Sequence, residues 1–283
     1  YTGDGSTSLK RGPSDYLGLK AIRPVKYKSD NMDNNTQRTF AIGDIHGGCR
    51  ALIKALELAH FDYDNDKLIA LGDVCDGWSE TPEAIEELLK IKNLVYIKGN
   101  HDVWAYKGLT NASGFMGFSG EGRSWLHHGG QATSDAYNRR ADLKEKHLEF
   151  LKNAKPFYLD EKNRLFVHAG IRPGVPVKDT PEDVLVWDRN FWYSMYAGKN
   201  SGKEYTEVYI GHTPTLNFPD NKGSHYKPLN RMNTWNLDTG AAFYGSLTIM
   251  NIDTKEFWQT ERVRELYPDE KGRNPNSFNT DNK

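Results

Sequence analysis

The chain has 283 residues, and 37 Lys and Arg against 38 Asp and Glu leave a formal charge of −1. That balance excludes a general polyanion coat, and no Lys/Arg run is long enough for a nucleic-acid tail. With 37% apolar and 12% aromatic residues the composition suits a folded chain, and no apolar stretch approaches the roughly 18 residues of a membrane span.

A chain that starts at Tyr1 reads as a fragment or a processed product, from which a secretory signal could already be gone. Residues from Tyr1 to about Gln37 are polar and read as a loosely held arm. Thr39–Ile42 is a short apolar run that stops at Gly43-Asp44. Leu52, Ala55, Leu56 and Ala59 then follow the helical i, i+3, i+4, i+7 spacing. Leu68–Leu71 is a second run, ending at Gly72-Asp73. Thr81-Pro82 reads as an N-cap with Pro at the first helical position, and Ile85, Leu88 and Leu89 form that helix's buried face. Leu94–Ile97 is a third run, ending at Gly99-Asn100-His101-Asp102. Strand–helix–strand units of this size predict parallel pairing with right-handed crossovers.

A Gly-rich, helical stretch over about 103–156 reads as an insertion covering part of a site within a domain spanning about 38–266. Leu165–Val167 then ends at His168-Ala169-Gly170, and Val208–Ile210 ends at Gly211-His212-Thr213. Trp235–Asp238 and Ser246–Ile252 read as a hairpin, with a further strand at Phe257-Trp258. Residues 267–283, rich in Asn, Asp, Lys and Pro, read as a tail.

Ligands in open α/β sheets bind beyond the carboxyl ends of the strands. Each apolar run here ends at a Gly and a residue able to hold a metal. Asp44, His46, Asp73, Asn100, His168 and His212 supply two carboxylates, three imidazoles and one amide oxygen. Oxygen and imidazole without thiolate suit Mn²⁺, Fe or Zn²⁺. Six ligands are too many for one open catalytic ion and suit two, with Asp73 as the bridging carboxylate. Two ions about 3.5–4 Å apart can hold a hydroxide between them and clamp both sides of an in-line phosphoryl displacement. His60, His127, His128, His147 and His225 lack such a setting and read as structural. Cys49 and Cys75 are too few for a disulfide scaffold or a thiolate zinc site and read as reduced, packed thiols.

Gly43-Asp44-Ile45-His46-Gly47, Gly72-Asp73-Val74-Cys75-Asp76, Gly99-Asn100-His101-Asp102, Val167-His168-Ala169-Gly170 and Gly211-His212-Thr213 resemble the motif series of the calcineurin-like metallophosphoesterases. Val186-Trp187-Asp188-Arg189 and Leu237-Asp238-Thr239-Gly240-Ala241 are similar to segments of the bacterial, bacteriophage lambda phosphatase-like branch of the phosphoprotein phosphatases. The resemblance runs from about Thr39 to Ile252 and implies a two-sheet α/β/β/α sandwich. It implies that Asp44, His46 and Asp73 hold one ion and that Asp73, Asn100, His168 and His212 hold the other. His101 would protonate the leaving oxygen, Asp76 would hold His101, and Arg189 would grip phosphate with Asn100 beside it. A carboxylate partner raises a histidine's pKa toward that task, and a guanidinium fork fits two phosphate oxygens.

The resemblance breaks at Gly77-Trp78, where the family usually has Arg-Gly. One phosphate-binding arginine is thus absent from its usual place. Arg123, beside the Gly-rich loop, is a candidate substitute but reads more readily as a solvated surface arginine, and Trp78 reads equally as an aromatic wall for a base or aromatic leaving group and as a packing residue. Asp102 stands where many members have Glu. The expectation is a dinuclear phosphomonoesterase using Mn²⁺, or else Fe or Zn²⁺, on phosphoserine or phosphothreonine in proteins or on small phosphoesters, without nucleic acid. The alternatives are a dinucleoside polyphosphate hydrolase and a non-catalytic phosphate-sensing scaffold.

Overall fold

The computed structural model describes residues 37–115, 120–199, 202–221 and 226–274. The polar arm up to Thr36 and His225 lie outside the described residues. Two sheets stand at the centre. The first takes β1 (Thr39–Ile42), β2 (Lys67–Ala70) and β3 (Asn93–Tyr96) as parallel neighbours. The second joins β4 (Phe157–Leu159), β5 (Arg164–Val167), β6 (Glu207–Ile210), β7 (Leu229–Arg231) and β8 (Thr234–Asn236) in the order β4-β5-β6-β8-β7. The first sheet is completed by β9 (Ser246–Asn251), antiparallel to β1, and β10 (Phe257–Arg262) at the edge.

Strand side chains alternate between faces with period two, and the core divides accordingly. Ala41, Ile69, Phe166, Tyr209, Leu237 and Met250 meet between the sheets, where the Phe166 and Tyr209 rings stack 4.9 Å apart. The alternate residues Phe40, Ile42, Leu68 and Ala70 turn outward to the helices over the first sheet. Those helices include α1 (Cys49–Leu58) and α2 (Thr81–Leu88), which bury Leu52, Ala55, Leu56, Ile85 and Leu88. Leu165, Val167, Val208 and Ile210 turn outward from the second sheet to Leu185, Phe191, Trp192 and Met195. These belong to α7 (Glu182–Trp187) and α8 (Asn190–Tyr196). The result is the helix–sheet–sheet–helix sandwich that the motifs imply.

Between β3 and β4 lie α3 (Asn100–Thr110), α4 (Gly120–Trp125), α5 (Gln131–Arg139) and α6 (Lys144–Lys152). Two local expectations are corrected. Trp235–Asp238 and Ser246–Ile252 do not form a hairpin: β8 pairs with β6 and β7, whereas β9 pairs with β1 and β10. Leu237 and Met250 both bury between the sheets, so the intervening chain crosses from one sheet to the other. Thr81 is the first residue of α2 rather than its cap, and its hydroxyl lies 3.2 Å from that of Thr133. Tyr267–Asn274, expected as the start of a tail, packs against the turn at Gly77–Ser79: Tyr267 stacks on Trp78 with centroids 5.1 Å apart, and Glu270 accepts from Ser79 N and Oγ at 2.9 and 2.7 Å. Short α9 (Val263–Leu266) leads into this segment.

Candidate active site

Five strand ends open onto one edge of the sandwich, and the glycines show why their side chains can converge. A methyl group at Gly99 would fall on Asp73 Oδ1, and one at Gly211 would fall on Asp44 Oδ1. At these two motifs the missing Cβ therefore makes room for a carboxylate from another motif. The turns themselves are strained. Among the described residues nine non-glycine positions hold positive φ, and His46, Asp73, Asp76 and His212 are four of them, at 51°, 53°, 71° and 65°. Left-handed backbone costs L-residues of this kind about 1–3 kcal/mol each and persists where the surroundings impose it.

Asp44, His46 and Asp73 form one group, and Asp73, His168 and His212 form a second; within each, the ligand atoms lie within 4.8 Å of one another. Asp73 is common to both. Asn100 Oδ1 joins the second group, 3.0 Å from His168 Nε2, which is itself 3.3 Å from Asp73 Oδ2. The three imidazoles are oriented by backbone carbonyls. His168 Nδ1–H donates to Leu71 O at 2.7 Å, His46 Nδ1–H to Asp76 O at 2.8 Å, and His212 Nε2–H to Trp187 O at 3.2 Å. In each ring the other nitrogen is the one turned toward the donor cluster, where a cation would replace its proton. Asp102 braces the Asp73 turn from α3, accepting from Asp73 N (2.9 Å), Val74 N (3.0 Å) and Tyr96 Oη (2.8 Å).

The charge balance fits divalent ions. Asp44, Asp73, Asp76, Asp102 and Asp238 are all buried here. Burial, with Asp238 beside it, pushes the Asp44 carboxyl well up. Burial also disfavours charge on His168, yet Asp73 and Asp44 hold its imidazole up to about 10. A site that draws a proton onto a buried histidine has negative potential to spare, and its six donors are of the oxygen and imidazole type that Mn²⁺, Fe or Zn²⁺ accept. The two groups can therefore hold two ions, with Asp73 between them.

Beside this cluster, His101 Nδ1 lies 2.7 Å from Asp76 Oδ2. With Nδ1 engaged, Nε2 is the nitrogen free to exchange a proton. Burial pushes the Asp76 carboxyl up to about 8 and the His101 imidazole down to about 3. Asp76 is held from α4 and α5: Trp125 Nε1–H donates to Oδ1 and Oδ2 at 2.9 and 2.8 Å, and Asp76 N donates to Thr133 Oγ1 at 2.9 Å. Neither Trp125 nor Thr133 was legible as a site residue, because only the folding of α4 and α5 brings them to Asp76. Trp125→Phe keeps the ring but removes a donor from a carboxylate, a loss of about 1.5–3 kcal/mol. Under the phosphoester chemistry that the motif resemblance implies, the expected outcome is a roughly tenfold or larger fall in kcat. Steady-state kinetics at equal metal occupancy checks it; an unchanged kcat would remove Trp125 from the site.

Arg189 Nη1–H donates to His212 O (2.7 Å) and Thr213 Oγ1 (3.1 Å), which ties the guanidinium to the second group. It lines a cavity of about 440 Å³ together with His212, Asp238, Tyr193, Tyr244 and Arg273. A second cavity, of about 680 Å³, reaches from Gly77 and His128 to the same Arg273. Asp238 and Arg273 were not singled out from the sequence. Asp238 follows β8, so a sixth strand end carrying an acid was its available signal; Arg273 lay in the presumed tail. Two readings that the sequence leaves open are decided here, Arg123 as a surface residue and Trp78 as a packing residue. Arg123 is exposed on α4 and lines neither cavity. Trp78 is fully buried, its indole N–H donating to Ala241 O at 2.9 Å, so it is no wall of the site. Cys49 and Cys75 are free and buried, and burial raises both thiols, Cys49 to about 12. His147 is structural, set between Tyr137 Oη and Glu86 Oε1 at 2.8 Å each.

Residues 38–242 match the family model for calcineurin-like phosphoesterases. The chain is 25% identical over 237 residues to serine/threonine-protein phosphatase 1 of Salmonella typhimurium, an alignment covering 82% of this chain and 99% of that one. It is 23% identical to a symmetrical bis(5'-nucleosyl)-tetraphosphatase of Pseudomonas entomophila, covering 81% and 96%. Among solved structures, a metallophosphoesterase from Sphaerobacter thermophilus superposes with a TM-score of 0.50 at 16% identity, over 82% of this chain and 95% of that one.

Proposed function

Since this chain belongs to the calcineurin-like phosphoesterases, we propose that it is a dinuclear metal-dependent phosphomonoesterase that removes phosphate from phosphoserine and phosphothreonine in proteins. The observation that carries this reading is the shared Asp73: two donor groups meet at one carboxylate, and the His101–Asp76 pair stands beside them. Support for a protein substrate comes from the Salmonella phosphatase, which the chain matches over nearly its whole length.

Asp44, His46 and Asp73 would hold one ion, and Asp73, Asn100, His168 and His212 the other. When bound, the pair supplies Lewis-acid charge for the phosphoryl oxygens and lowers the pKa of a water. Arg189, fixed by His212 O and Thr213, places its free guanidinium edge toward two phosphate oxygens, a charge-assisted fork. His101 gives its Nε2 proton to the departing alkoxide. Asp76 holds His101 through Nδ1, which leaves Nε2 as the nitrogen that exchanges the proton. The burial of His101 and Asp76 excludes bulk water from the proton transfer.

A second reading has its own support. The Pseudomonas tetraphosphatase matches over 81% of this chain, and the cavity beside Arg189 is walled by Phe243, Tyr244 and Tyr193, the last half exposed. Such rings can stack on a nucleobase. One experiment tests metal and substrate together. Chelated protein is assayed on a phosphopeptide, p-nitrophenyl phosphate and diadenosine tetraphosphate, before and after Mn²⁺ addition. The expected result is loss of turnover on chelation, recovery with Mn²⁺, and preference for the phosphopeptide. Preference for the dinucleotide would establish the second reading, and turnover that survives complete chelation would overturn the metal mechanism.

A further inference from the structure

Arg273 sits in the packed C-terminal segment, and the segment's anchors lie on the turn that departs from the family pattern. Arg273 N donates to Ala242 O at 2.9 Å, while Tyr267 stacks on Trp78 and Glu270 binds Ser79. Gly77 leaves space that Arg273 fills: a Cβ on Gly77 would meet Arg273 Cγ at 3.4 Å. The side chain then passes beneath Phe243, its guanidinium carbon 5.0 Å from the ring centroid. Its Nε is buried without a hydrogen-bond partner, and among the described residues no hydrogen bond or ion pair engages the guanidinium. It lines both cavities, one of them shared with Arg189 and His212. Asp73, Asp76, Asp238 and Asp44 are the carboxylates whose field it feels most. A buried, unpaired guanidinium N–H is costly unless a ligand supplies the acceptor.

We propose that Arg273 is a substrate-binding residue, a second guanidinium that reaches the phosphate of the ester from the C-terminal segment while Arg189 holds it from the other wall of the cavity. Gly77 and Trp78 then form a matched pair. Gly77 opens the channel for the side chain, and Trp78 fastens the segment that carries it. An arginine at position 77 itself would meet Arg273 and would be strained at φ 126°. This inference rests on the phosphoesterase reading, and its test separates the two.

The test uses the full chain loaded with Mn²⁺, with inorganic phosphate as the probe. Phosphate affinity is measured by titration calorimetry, and kcat and KM are measured with p-nitrophenyl phosphate. Arg273→Ala and Arg273→Met, the latter keeping the packed stem, should both weaken phosphate binding about tenfold or more. The loss in kcat/KM should fall mainly on KM. Arg273→Lys should lie between, and millimolar guanidinium should restore part of the lost activity to Arg273→Ala, a rescue that a packing role would not give. Phosphate affinity within twofold of wild type in both variants, in protein that hydrolyses the ester, overturns the role of Arg273 and leaves the phosphoesterase reading intact. Wild-type protein that neither binds phosphate nor hydrolyses any ester overturns both.

Discussion

Asp73→Asn should leave no more than about a thousandth of wild-type hydrolysis. The reason lies in its double membership: Asp73 belongs to both donor groups, and a neutral amide there removes the one anion both ions would share. Lewis-acid stabilisation by such ions is worth several kcal/mol, and each 1.4 kcal/mol is about tenfold in rate. The variant should still fold, because the Asp73 turn is braced through its backbone N–H by Asp102 rather than through its side chain alone. Metal analysis after dialysis should find fewer than two ions per chain, with the melting temperature of the metal-free protein little changed. Two tightly held ions and near-normal turnover in this variant would refute the bridging role.

The second large effect is expected at His101. His101→Ala should lower hydrolysis of an alkyl or seryl phosphate by about 10²–10⁴, the range for a positioned general acid. The same variant should lose far less with p-nitrophenyl phosphate, whose leaving group scarcely needs a proton. The diagnostic is the slope of log kcat against leaving-group pKa, which should steepen when His101 is gone. Equal losses on good and poor leaving groups would mean that His101 holds the substrate or the fold instead. Asp76→Asn should move in the same direction by a smaller amount, since the 2.7 Å contact to His101 Nδ1 would persist with an amide oxygen. The sandwich should hold in both variants, since neither side chain belongs to the three apolar clusters.

The departure from the family pattern at Gly77-Trp78 illustrates how a local reading stops short. At Gly77-Trp78 the chain looks as if it has lost an arginine, beside an aromatic that could line the site or pack in the core. In the folded protein the indole is buried against Tyr267, and an arginine from nearly 200 positions later in the chain occupies the space beside Gly77. Arg123 is closer in sequence but faces solvent.

What the sequence by itself determined about this protein is the set of strand ends and the chemistry placed on them. A short apolar run closed by Gly and a ligand is a local pattern, and backbone sterics translate it into a strand, a sharp turn and an outward side chain within a few residues. Asp44, His46, Asp73, Asn100, His168 and His212 were legible for that reason, and so were Phe40, Ile42, Leu68 and Ile69 as members of apolar runs, whose division between two faces the structure shows. Only the tertiary structure decided which sheet β8 and β9 join, that Trp125 and Thr133 hold Asp76, and that Arg273 enters the cavity. Those facts depend on burial between layers and on contacts made across 49, 57 and, for Trp78 to Ala241 beneath that same segment, 163 positions of chain. No spacing rule spans such distances, because the unfolded chain brings those residues together only when the whole sandwich closes and buries the surfaces between them.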